Sequence, residues 1–195
     1  SGGRVDISFG AGWNVIDFAL QPQNLLVNKL VLWEPTRAVR PLRQGGKLQV
    51  PDGLGQTISI GTRPRPIQPA LEVWVSSVIN PQTYWDAGAV GANMLCSVFG
   101  QTWEGLGEKI GFHKTSLEYH GFQPEHRTAT CLAHTFMKSS NEAAVITAKP
   151  GLETYLLQSI QLIKIQFPEF AELPDKDLAA TAAHRFIEQA RRWAG

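Results

Sequence analysis

Near residue 80 the sequence changes its hydrophobic period, and that change constrains the fold more than any compositional total. Before it, short apolar stretches alternate with polar residues or run continuously, broken by seven of the chain's 12 prolines. After it, apolar residues recur at steps of three and four, the spacing of a helix face. This predicts a single α+β domain over residues 1–195, with a β-rich part over 1–79 and a helix/strand part over 80–195. The expected architecture is an antiparallel sheet packed against two or three helices.

Within the first part, Val5, Ile7 and Phe9 alternate with polar residues and run into Gly10-Ala11-Gly12, a strand meeting a turn. Trp13–Leu20 reads as a second strand, and the apolar run Leu25–Trp33, closed by Pro35, as a central one. Leu48–Val50 and Gln56–Ile60 flank Pro51-Asp52-Gly53 and predict a hairpin, because Asp-Gly suits the positive φ of a tight turn. Leu71–Ile79 is a fifth strand.

Asn80-Pro81 then reads as an N-cap followed by a proline at the first helical position. Trp85, Ala89, Ala92, Cys96, Phe99, Trp103, Leu106 and Ile110 continue at helical steps, which predicts a helix over 81–99 and a break or second short helix near Gly100. A second hairpin is expected over 115–137, with a strand to His120, a loop over 121–125 and a strand from His126. Val145–Ala148 suggests another strand. Helices are expected from Leu152 to Phe167 and from Asp175 to Trp193. The buried face of the last is Leu178, Ala182, Phe186, Ala190 and Trp193, with Arg191 and Arg192 at its negative end.

With 43% hydrophobic and 18% charged residues over 195, the chain has enough apolar side chains for a core without disulfides. This excludes a disulfide-stapled miniprotein and a disordered tail. No apolar run approaches the roughly 18 residues of a spanning helix. Cys96 and Cys131 form no CxxC pair, which favours a reducing, cytoplasmic setting. Ser1-Gly2-Gly3 reads as the edge of a cut or processed chain.

The net charge of +1 hides an uneven distribution. Residues 1–70 hold eight basic and four acidic side chains, a balance of +4, and the remainder sums to −3. Arg37, Arg40, Arg43, Lys47, Arg63 and Arg65 stand against the single acid Asp52, with Trp33 nearby. Arginine suits bidentate contact with carboxylates and phosphates. The expected function is therefore a non-enzymatic interaction module within a larger assembly, using these residues to bind an acidic protein partner, with nucleic acid as the alternative. Arg63 to Pro69 also has the spacing of a polyproline ligand, although a rigid connection is the simpler reading.

Four histidines, His113, His120, His126 and His134, fall within 22 residues. If the 115–137 hairpin forms, His120, His126 and Glu118 share a face, giving a second alternative: a metal-dependent or His-based hydrolase, with Glu125 assisting. Without helical HExxH support this remains the lesser reading, and no cofactor is expected. Cys96 and Cys131 both read as core positions, and Glu104 and Glu108 as a solvated pair.

Overall fold

The structure, a computed structural model, describes residues 5–64, 71–166, 172 and 174–194, with the side chains at 166, 186 and 189–194 not described. Arg65, the segment 65–69, the expected helix end at Phe167, and the side chains of Phe186, Ala190, Arg191, Arg192 and Trp193 lie outside this description. The chain forms two compact units. One comprises Ser1–Ala11 and Leu26–Ala133, and the other Gly12–Leu25 and His134–Gly195.

The first unit is a succession of strand and helix. Strand β1 (Ile7–Phe9) is followed by α1 (Asn28–Arg43), the hairpin β2 (Leu48–Pro51) and β3 (Thr57–Ile60), and then β4 (Val73–Ser76). Helix α2 (Pro81–Ala89) leads to β5 (Asn93–Ser97), and α3 (Trp103–Tyr119) leads to β6 (Ala129–Leu132). The main sheet has the order β1-β4-β5-β6, and all three pairings are parallel. Among the described residues, only the separate β2–β3 hairpin is antiparallel.

This corrects the expected antiparallel sheet. The physical reason is that helices or long connections separate sequential strands of the main sheet, and each returns the chain to the same end so that the next strand runs in the same direction. The expected strand at Leu25–Trp33 is largely α1, which accommodates Pro35 and Pro41 internally. The Thr36 hydroxyl donates to Leu32 O at 2.6 Å in the turn that Pro35 interrupts. The expected helix over 81–99 stops at Ala89, turns at Gly91 with φ of +62°, and becomes β5. The expected strand at 115–120 is the end of α3, so the 115–137 hairpin does not form.

The core lies on one face of the sheet. Val73, Val75, Met94 and Cys96 alternate along β4 and β5 and pack with Tyr84 and Ala87 of α2, Leu106 of α3 and Leu32 of α1. Each such buried aliphatic side chain contributes about 2 kcal/mol of transfer free energy. Ser116 fixes α3 against α2: its hydroxyl donates to Trp85 O at 2.6 Å. A Cβ on Gly88 would lie 2.6 Å from Ser116 Cβ, so the missing side chain allows this close helix approach.

The second unit contains the short 3-10 turn Val15–Phe18, α4 (Asn141–Gln166) and α5 (Asp175–Ala194). The expected strand at Val145–Ala148 is helical. Thr147 donates back to Ala143 O at 2.8 Å, showing how a β-branched residue is accommodated there. Trp13–Leu20 is turn and 3-10 structure, capped by Asn14 accepting from Ile16 N. Lys164 pairs with Asp175, tying the end of α4 to the start of α5. Among the described residues, no helix is long and apolar enough to cross a membrane.

Candidate functional site

In a parallel sheet with helical crossovers, the strand C-termini feed loops that enter helix N-termini. That end collects the positive ends of helix dipoles and their first-turn N–H groups. In the first unit it comprises the residues following Phe9, Ser76, Ser97 and Leu132.

The face opposite the core brings hydroxyls toward this end. The register places Ser8, Ser76, Ser97 and Thr130 on it, together with Trp74, Leu95 and Leu132. The Ser8 and Ser76 hydroxyls share a 2.8 Å hydrogen bond. Ser97 Oγ accepts from Phe99 N at 3.1 Å and turns the chain out of β5. Here the polar face is the alternate set of strand residues, as period two requires.

Two loops are then tied together. Gln101 Nε2 donates to Val78 O at 2.7 Å and to Ser97 O at 2.5 Å, joining the loop after β5 to the loop after β4. The Tyr84 hydroxyl donates to Ser77 O and Val78 O, each at 3.1 Å. Burial raises the Tyr84 pKa far above its ordinary value, with Cys96 adding to the effect, so this hydroxyl keeps its proton.

The turn from β5 into α3 joins an open glycine to a capped helix N-terminus. Gly100 has φ of +70°, and a Cβ there would meet nothing within 4 Å, so the backbone is open to an approaching group. Thr102 is the N-cap, accepting from Gly105 N at 3.0 Å. Lys109, one turn further on, donates to Gln101 Oε1 at 2.9 Å and Gly105 O at 3.0 Å. Glu104, the acid of the first turn, points into solvent. A helix N-terminus, a neighbouring ammonium and an exposed glycine make a donor set suited to a phosphate.

The residues singled out from sequence lie elsewhere. Arg40 donates to Val90 O and Gly91 O, each at 2.6 Å, and Arg127 Nε donates to the same Gly91 O at 2.8 Å. Both arginines therefore cap the C-terminus of α2 at the opposite end of the sheet. Burial, and then the charge of Arg127, lower the Arg40 pKa, while Glu72 opposes that shift. Arg43 is half-buried and Trp33 packs against the core; Arg37, Lys47 and Arg63 are exposed. Of these groups, Arg40 is taken up by the α2 terminus, while the chain beside Arg63 meets that beside Arg43 and Lys47 through Thr62 and Gly61.

The histidines are likewise separated in role. His113 is 1% exposed, and its Nε2–H donates to Ala92 O at 2.8 Å. His120 caps α3 and donates from Nδ1 to Ser116 O at 2.8 Å. Glu118 is exposed on α3, His126 and Glu125 lie on an exposed 3-10 turn, and His134 belongs to the second unit, 4.9 Å from the Tyr155 ring. Among the described residues, no three His, Cys, Asp or Glu side chains are grouped as a metal site.

Compared with known protein families and curated proteins, the sequence matches none. Solved structures do match. The structure superposes on the monooxygenase RslO1 from Streptomyces bottropensis with a TM-score of 0.66 at 16% identity, covering 98% of this chain and 59% of that one. The fold is TIM-barrel-like.

A type II Baeyer–Villiger monooxygenase, the oxygenating constituent of 3,6-diketocamphane monooxygenase from Pseudomonas putida in complex with FMN, matches with a TM-score of 0.60 at 13% identity. The match covers 96% of this chain and 56% of that one. An F420-dependent secondary alcohol dehydrogenase in complex with an F420–acetone adduct matches at 0.58 and 14% identity, over 96% and 55%. The chain spans a little over half the length of these structures.

These neighbours correct the expected non-enzymatic interaction module: the fold this chain shares is one found in two monooxygenases and an alcohol dehydrogenase. Sequence reasoning missed Ser76, Ser97, Gln101, Thr102 and Lys109. The available signal was Gly100-Gln101-Thr102 following the Val98-Phe99 apolar pair, with Gly105 three residues after Thr102.

Proposed function

We propose that this chain forms the phosphate-holding part of an oxidoreductase that uses a flavin or deazaflavin. The observation carrying the reading is the β5–α3 turn: Gly100, Gln101, the Thr102 N-cap and Lys109 occupy the C-terminal end of a parallel sheet, where folds of this type bind their ligands. The residues fit a phosphate, since the open backbone at Gly100 and the helix dipole both favour an anion and Lys109 supplies a cation nearby.

In this reading the chain holds the cofactor's phosphate through first-turn N–H groups of α3 and Lys109. Gln101 sets the turn's position by bridging to Val78 O and Ser97 O. The hydroxyl face of Ser8, Ser76, Ser97 and Thr130 provides polar contacts beside it. The cofactor supplies the hydride or electron chemistry, and these protein groups bind and orient.

Fluorescence titration with FMN, and in parallel with F420, tests this. Saturable binding of one of them, weakened about tenfold by Lys109→Ala, is the expected result. Absence of binding by either, or an unchanged affinity in the variant, contradicts it.

A further inference from the structure

We propose that Cys96 and Cys131 close into a reversible disulfide joining β5 to β6, with hydrogen peroxide as the oxidant. The two cysteines are direct register partners on adjacent parallel strands, so both side chains leave the same face of the sheet. Adjacent strands lie roughly 4.8 Å apart, within the range of about 4.4–6.8 Å that disulfides span between Cα atoms.

The Cys96 thiol already faces β6, whereas the Cys131 thiol bonds within its own strand. Cys96 Sγ donates to Thr130 O at 3.2 Å, a carbonyl of β6 immediately before Cys131. Cys131 Sγ contacts the carbonyl of Leu132 at 3.7 Å. Both cysteines are free, Cys96 buried and Cys131 half-buried, so the pair combines a more accessible and a protected thiol.

Burial, with the neighbouring Cys131 thiol contributing, pushes the Cys96 pKa up to about 11. Cys96 therefore holds its proton at neutral pH, and Cys131, the less buried of the two, is the first to meet peroxide. The Cys131 thiolate attacks one peroxide oxygen, the O–O bond breaks, and water leaves once the departing hydroxide is protonated, giving a sulfenic acid. The Cys96 sulfur then attacks the Cys131 sulfur. The S–O bond breaks, and the leaving hydroxide takes the Cys96 proton as a second water. Two thiols are oxidised by two electrons and one peroxide is reduced to two waters.

An added dithiol returns such a disulfide to two thiols by exchange.

The test is peroxide treatment of the whole chain, followed by thiol titration under denaturing conditions and intact-mass measurement. Accessible thiols should fall from two to none, with loss of two hydrogen masses in a monomeric species, and dithiothreitol should restore both. In Cys96→Ser, Cys131 should stop at a sulfenic acid that dimedone traps; in Cys131→Ser, Cys96 should stay reduced. Two persisting thiols, a disulfide-linked dimer, oxygen addition without hydrogen loss, or hydrogen loss in either single variant would overturn the proposal.

Discussion

At one end of the parallel sheet, Arg40 and Arg127 converge on the Gly91 carbonyl; at the other, Lys109 reaches Gln101 and Gly105 beside a helix N-terminus. Both ends place cations near helix termini, yet the dipoles differ in sign. The arginines meet the negative C-terminus of α2 and are consumed there as structural caps. Lys109 stands near the positive N-terminus of α3, and in the proposed reading these two like-signed sources favour an anion. Charge in the sequence therefore says little about binding until the helix end beside it is known.

The comparison can be broken by substitution, beginning with its most constrained residue. Gly91→Ala should destabilise the protein by about 3 kcal/mol, combining a disfavoured positive φ with overpacking. The added Cβ would lie 2.5 Å from the Phe122 ring. Chemical denaturation measures this, and a loss under about 1 kcal/mol would show that the α2 terminus is not tightly held.

Arg40→Ala should cost about 2 kcal/mol by leaving two carbonyls without their charged donor. Exposed Arg37→Ala should stay within about 0.5 kcal/mol. Equal costs would remove the distinction between capping and surface arginines. At the other end, Thr102→Ala should cost only about 1 kcal/mol through loss of the N-cap, while weakening FMN or F420 binding. Unchanged affinity would separate the cap from the anion site.

The smallest effect is a pH dependence. Burial lowers the His113 pKa below its ordinary value of 6.5, with the Ala92 hydrogen bond opposing and Arg127 and Lys114 adding. The unfolded chain then takes up a proton that the folded one resists. Stability from this group is present above pH 6.5 and declines as pH falls from there toward the folded-state pKa. Denaturation midpoints of wild type and His113→Gln, followed below pH 6.5, should converge; parallel profiles would contradict this.

Local signals in the sequence were reliable where the chain's own neighbours decide the structure. The β1 alternation, the Asp52-Gly53 hairpin, the Leu71–Ile79 strand and the Asn80-Pro81 helix start all have counterparts. Strand direction was not legible, because pairing joins Val75 to Met94 and Leu95 to Thr130 across helices that the pattern does not connect.

The 81–99 stripe misled because steps of three and four cross from helix to strand without an obvious break. Ala92 and Cys96 fit the helical count, yet Met94 and Cys96 are buried together at period two. Treating Gly91 as a stop would have separated them. The candidate site was hidden for a related reason: Ser76, Ser97 and Gln101 are unremarkable in sequence and become a site only when the strand ends align. The arginine cluster, conspicuous in sequence, was distributed by the fold among a helix cap, a half-buried position and exposed positions.

The central claim is that the β5–α3 turn holds a cofactor phosphate. Backbone amide chemical shifts, followed by NMR during titration with FMN and then F420, test it most directly. The account predicts that one of these cofactors gives its largest saturable shifts over residues 100–105, with little change at Arg37, Arg40 and Lys47. Shifts centred on those basic residues, or none at 100–105 with either cofactor, would contradict it.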